Sequence, residues 1–152
     1  MKKKFLTLLF GVYQVFLFGQ YDCPYPIIFV HGINSDHTTW QTTLNQLNPY
    51  LGSSQVLTFN LYASTGTLYS DDVVWVTDPN TVSNSCIYTI NFNAQAGMGT
   101  QSASNEASIV KQGYALKLAI EKVIAVTQKE KVVLVCHSMG GLASRDYLQR
   151  WA

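Results

Sequence analysis

Residues 131–145 read Lys-Val-Val-Leu-Val-Cys-His-Ser-Met-Gly-Gly-Leu-Ala-Ser-Arg: an apolar, β-branched run, a corner of small residues carrying Ser138, and the start of a helix. A serine hydroxyl is a weak nucleophile. Acyl-transfer chemistry needs it pushed out of the backbone toward a base and set beside donors for an oxyanion. The run at 132–136 has the composition of a fully buried strand, Ser138 falls on the forced turn, and Gly140 and Gly141 leave room for the helix to depart close to the strand. This is the pattern of a nucleophile elbow, with Ser138 as the candidate nucleophile.

Far upstream, Pro26-Ile27-Ile28-Phe29-Val30-His31-Gly32-Ile33-Asn34 is a second apolar run, and it ends abruptly at a His-Gly pair. Together the two segments resemble the α/β-hydrolase superfamily, in which a strand ending in His-Gly supplies one oxyanion donor and a Gly-x-Ser-x-Gly elbow supplies the nucleophile. The His-Ser-Met-Gly-Gly wording and the Trp40 helix are most similar to lipases, including the GPI inositol-deacylase-like group. The resemblance covers residues 26–150. It implies an α/β fold with a mostly parallel sheet and flanking helices, and serine hydrolysis of a small-molecule or lipid ester. It also implies that the backbone N–H groups of Ile33 and Met139 form the oxyanion hole, with His31, Gly32 and Gly140 as supporting motif residues.

Two features depart from the family pattern. Cys136 stands where the elbow has its first glycine, a modest enlargement. The family's chain order continues from Ser to an Asp or Glu and then a His, and neither is found between Ser138 and Ala152 in family position. The histidines are His31, His37 and His137. His31 and His137 lie inside the two motifs, where their backbone position matters more than their imidazole, and His37 falls in the wrong part of the fold. The expectation is a truncated α/β-hydrolase, residues 21–152 being the N-terminal part of the domain. Such a chain lacks the triad Asp and His and is inactive by itself.

The elements that must position these motifs are legible along the chain. Residues 38–51 carry Trp40, Leu44, Leu47 and Leu51 at three- and four-residue steps, one helix face, with Pro49 and Gly52 making its end ragged. Short apolar runs at 56–61 and 73–76 read as strands. The run at 86–92 alternates more clearly and precedes the Gly97-Met98-Gly99 loop. It is taken as the next strand of the main sheet, which makes residues 62–85 an insertion longer than a plain connection. Residues 105–128 form an amphipathic helix with Ile109, Leu116, Ile120, Val123 and Ile124 inward and Lys111, Lys117, Glu121 and Lys122 outward. These pieces make two right-handed strand–helix–strand units. They leave the elbow strand near a sheet edge, and an uncovered apolar edge invites aggregation or pairing with a partner.

At the N-terminus, Lys2, Lys3 and Lys4 precede an apolar stretch at 5–18 with Gly19 after it. This is the form of a secretory signal over residues 1–20 and places the protein outside the cell or in the periplasm. Without the three lysines, seven basic residues face nine acidic ones, a net charge of about −2, so nucleic acid is not an expected partner. No Lys or Arg occurs between Phe5 and Val110, and the neutral, aromatic-rich composition leaves transient contact with a membrane or lipid surface open. No cofactor is called for, and no Cys/His spacing suits a metal. Of the three cysteines, Cys136 is expected to be buried at the end of the elbow strand, so Cys23 and Cys86 are the natural candidates for a disulfide, the alternative being two unpaired, buried thiols.

Other residues read as ordinary structure. Ser108-Ile109-Val110-Lys111 spells Ser-x-x-Lys, but it lies in an amphipathic helix with no Lys-Thr-Gly after it. Asp71, Asp72 and Asp78 read as loop solubilisers, Arg145 and Asp146 as a solvated helix face, and Trp40 as helix packing. Two other functional classes are open: a non-catalytic secreted binding module on the same half-fold, and an amidase, thioesterase or peptidase on the same scaffold.

Overall fold

The computed structural model describes residues 23–51, 56–63, 73–92 and 107–152. The signal at 1–20, Asp71 and Asp72, the Gly97-Met98-Gly99 loop and part of the insertion lie outside the described residues. Five strands, β1 (Ile27–Val30), β2 (Val56–Ala63), β3 (Val73–Trp75), β4 (Ile87–Asn91) and β5 (Val133–Cys136), make one sheet. Its order is β3-β2-β4-β1-β5. β2, β4, β1 and β5 run parallel, and β3 adds to β2 antiparallel. Among the described residues three α-helices accompany the sheet: α1 (Gln41–Leu47), α2 (Ile109–Thr127) and α3 (Met139–Arg150).

The central strands are predominantly apolar because both of their faces are covered. From β1, Ile28 and Val30 pack with Phe59, Tyr88, Ile90 and the inner face of α2, whereas Phe29 points to the other layer with Ile87, Leu44 and Trp40. Thr89 is wholly buried in β4, and its hydroxyl donates to Thr58 Oγ1 on the neighbouring strand at 2.8 Å. That bond satisfies a group whose burial alone would be costly.

The elbow strand departs from the fully buried expectation. Among the described residues β5 pairs only with β1 and stands at the sheet edge, as the reading of the chain order anticipated. Val133 is 43% exposed, and Cys136 is exposed as well, not buried. Burial of a parallel strand needs a neighbour on each side, and β5 has one.

The first helix segment is broken into a 3₁₀ turn (His37–Trp40), α1, and a second 3₁₀ turn (Asn48–Leu51) containing Pro49. In α2, Ser108 is the N-cap, its side chain accepting from the Lys111 main-chain N–H, which gives the serine of the Ser-x-x-Lys spelling a capping role. Lys111 itself is buried, against expectation. It lies four residues before Ala115, in line with Ala119 and Val123, so the buried stripe of the helix carries it inward. The insertion returns to the sheet through β3. Asp78 caps the turn Pro79–Thr81, accepting from the Asn80 N–H at 2.9 Å, so it is more than a solubiliser. The Tyr88 hydroxyl holds the end of the insertion, accepting from the Ser85 N–H and donating to the Ser83 carbonyl.

Asp146 is also not on a solvated face. One oxygen pairs with Arg150 at 2.9 Å, and the other is buried against α2. A Cβ at Gly113 would lie 2.4 Å from it. Glycine inside α2, normally a cost of about 1 kcal/mol, is what lets the two helices come this close.

Candidate active site

β1 and β5 end side by side, with Val30 opposite Cys136. The His137 N–H extends the ladder by donating to the Val30 carbonyl at 3.0 Å. The chain then turns sharply at Ser138, whose φ of 51° and ψ of −122° place a residue with a Cβ in a region where it is strained. α3 starts at once, with Gly140 N–H donating to His137 O and Gly141 N–H to Ser138 O, both at 2.9 Å. Ser138 is exposed, and its side chain makes no capping bond to the helix.

Two glycines bring the segments together. A Cβ at Gly140 would stand 2.5 Å from the His31 carbonyl oxygen and 2.7 Å from that of Val30, so only glycine lets the first turn of α3 lie on the end of β1. A Cβ at Gly32 would stand 2.9 Å from Ser138 Cβ and 3.0 Å from His137 Nδ1. The loop after β1 therefore runs directly against the elbow. Gly141, expected to leave room as well, faces open space.

The loop is held at its far end by chemistry in its own sequence. Asn34 takes a left-handed φ of 52°, which asparagine tolerates better than most residues. Asp36 caps the next turn, its Oδ1 accepting from the Thr38 N–H at 2.8 Å and from the Thr38 hydroxyl at 2.5 Å. The hydroxyl bond, more than any other influence, holds the Asp36 carboxyl below the usual range. Ile33 stands 56% exposed at the site. Among the described residues, neither the Ile33 N–H nor the Met139 N–H donates to a main-chain carbonyl.

Around this centre, Trp40 packs on Phe29 with ring centroids 5.1 Å apart and meets the edge of His137 at 6.4 Å. Trp40 thus links the loop's helical turn to the elbow as well as to the core. Cys136 turns its thiol toward Ser144, with Sγ and Oγ 2.9 Å apart, and partial desolvation of the thiol on its inner side raises its pKa. One residue that sequence reasoning passed over, and one whose ring it discounted, support the site. Gln112, wholly buried on α2, reaches Ala107 O at 3.3 Å and Met139 Sδ at 3.8 Å. The imidazole of His31, which was expected to matter less than its backbone, is bonded at both ring nitrogens. No local pattern marks Gln112; a histidine between a buried strand and a glycine was the available hint for the second.

Residues 24–150 match the model of the PGAP1-like alpha/beta domain. The chain belongs to that family. No curated protein matches it significantly. Among solved structures, it is similar to the lin2722 gene product from Listeria innocua, with 24% identity and a TM-score of 0.55 over 84% of this chain and 45% of that one. This likeness shows the fold, and the chain spans less than half the length of that neighbour. Membership of the PGAP1-like group places the chain on a hydrolase-type scaffold, in line with the superfamily resemblance and with the mostly parallel sheet.

Cys23 and Cys86 lie at the opposite end of the sheet from the elbow, just before β1 and β4, where the Ile27 N–H donates to Cys86 O at 2.9 Å. Both are thiols in this structure. The Cys23 thiol donates to Tyr25 O and is pushed up to about 12 by burial and by the neighbouring Cys86 thiol. The expected pair is thus side by side, although Cys136 was excluded from it for the wrong reason.

Proposed function

We propose that the protein is an exported serine ester hydrolase of lipase or carboxylesterase type, with Ser138 as nucleophile and the N–H groups of Ile33 and Met139 as oxyanion donors. The observation that carries this is the backbone of Ser138. A φ of 51° with ψ of −122° costs on the order of 1–3 kcal/mol and persists only where the surroundings over-determine it. Here the end of β5, the bare Gly32 and Gly140 packed on β1 do so, and the result is an exposed hydroxyl at the carboxyl end of a parallel strand.

In the first half-reaction, Ser138 Oγ bonds to the acyl carbon as a general base takes its proton, and the carbonyl electrons move to oxygen. The oxyanion sits between the Ile33 and Met139 N–H groups, with the N-terminus of α3 favouring its charge. Collapse expels the alcohol, which takes a proton from the base, and water then hydrolyses the acyl-serine. His31 has both nitrogens bonded, and the His137 ring lies edge-on to Trp40. In the α/β-hydrolase chain order the acid and the histidine follow the nucleophile, and we assign the general base and its acid to those positions. Export rests on the lysine head and apolar stretch at the N-terminus.

A fluorophosphonate probe applied to the full-length protein should label Ser138, and Ser138→Ala should abolish labelling together with p-nitrophenyl ester hydrolysis. Labelling that survives the substitution, or moves to Ser108, overturns the assignment. Running p-nitrophenyl esters against the matching anilides tests ester against amide chemistry.

A further inference from the structure

His31 is wholly buried. Its Nδ1 lies 2.7 Å from the Gly32 carbonyl oxygen, and the Phe92 N–H donates to its Nε2 at 3.0 Å. A main-chain N–H can only donate, so Nε2 is the bare nitrogen. The ring proton is then on Nδ1, where it donates to Gly32 O. The ring is a neutral imidazole of one tautomer, tying the loop after β1 to the end of β4, and it also packs on the Phe92 ring at 5.2 Å.

The Gly32 carbonyl and the Ile33 N–H belong to the same peptide group. In a planar trans peptide they point in opposite directions. A bond that holds the carbonyl on one side therefore fixes the direction of the N–H on the other. Without it, the plane next to a glycine is free to rotate, and the N–H swings away. The same bond polarises the amide and strengthens the N–H as a donor. The geometry points to His31 as a positioning residue whose imidazole, bonded to Gly32 O and the Phe92 N–H, aims the Ile33 N–H at the oxyanion formed on Ser138. This rests on the hydrolase reading above.

The arrangement has a direction in pH. Burial lowers the pKa of His31; the Gly32 carbonyl and the Asp36 carboxylate push it back up, and His37 lowers it again. Because the folded value is depressed, the clamp contributes fully above the unfolded histidine value of about 6.5. Its contribution is lost as pH falls through the folded value. Protonation would set an N–H at Nε2 against the N–H of Phe92.

The test uses the full-length protein and two amide variants. His31→Asn keeps an N–H near the Nδ1 position, able to hold Gly32 O. His31→Gln places its amide near Nε2 and leaves the carbonyl unheld. Fluorophosphonate labelling of Ser138 should stay within about threefold of the parent in the first and fall about tenfold or more in the second, toward the ~10²–10³ loss of a removed donor. For a p-nitrophenyl ester, kcat should fall in the Gln variant with KM unchanged. Equal labelling in both variants and the parent, with the fold retained, overturns the positioning role alone, whereas a parent that is not labelled at Ser138 overturns the hydrolase reading. Should both variants fail to fold, nitrogen-15 spectra of the parent decide. A proton on Nδ1 supports the clamp, and a proton on Nε2 overturns it.

Discussion

Replacing Gly32 with alanine should slow acylation of Ser138 far more than it destabilises the protein. The new Cβ would meet Ser138 Cβ at 2.9 Å, His137 Nδ1 at 3.0 Å and His137 O at 3.2 Å. Carbon atoms sit comfortably at about 3.5–4.0 Å, so the loop and the elbow must separate by roughly half an ångström or more. Gly32 has no left-handed φ to lose; space alone demands glycine there. Overpacking of this kind costs about 1–3 kcal/mol in stability. The separation also moves the Ile33 N–H from the nucleophile, and a misplacement near 1 Å can cost about 10²-fold in rate. Gly32→Ala should lose about tenfold to a hundredfold in fluorophosphonate labelling rate, and Gly32→Val, with two further methyl groups, should approach the ~10²–10³ of a lost donor. The assay is the second-order labelling rate of the full-length protein beside its thermal midpoint. A Gly32→Ala protein that labels at the parent rate would refute the claim that this loop is aimed by its contact with the elbow.

The two glycines of the elbow helix should behave oppositely: Gly140→Ala drives a Cβ into the carbonyls of His31 and Val30 and should cost about 1–3 kcal/mol, read as a lowered thermal midpoint. Gly141→Ala meets open space and should stabilise by about 0.4–1 kcal/mol; equal shifts for both would contradict the packing of α3 on β1. Gly113→Ala should be destabilising through Asp146 and milder in an Asp146→Ala background, with a coupling of about 0.5–3 kcal/mol in a double-mutant cycle; additive effects would deny the contact. Cys23 and Cys86, adjacent in the fold, should resist alkylation until reductant is added when the protein is recovered from an oxidising compartment. A non-reducing peptide map showing both as alkylated thiols would remove the bridge.

Much of this protein was legible in residue order because its strongest signals are local. The strand, Ser138 and Met139 are contiguous with the glycine that follows them, and the apolar run of β1 reports burial on both faces without reference to any partner, whereas β4 reads as alternating in sequence and is buried on both faces in the fold. The face of α2 was read correctly at Leu116, Ile120, Val123 and Ile124 and missed at Lys111, where a charge was assumed to override the four-residue step that carries the position inward. What the sequence did not contain was which distant groups share space. That Gly32 lies against Ser138, that Gly113 makes room for a carboxylate and that Gln112 reaches Met139 depend on how helices and strands cross, and an empty side chain gives no sign of what fills its place. The role of His31 is the clearest case: its imidazole has meaning only because the Phe92 N–H, sixty-one residues away in the chain, arrives at Nε2 and thereby sets the proton on the nitrogen facing Gly32.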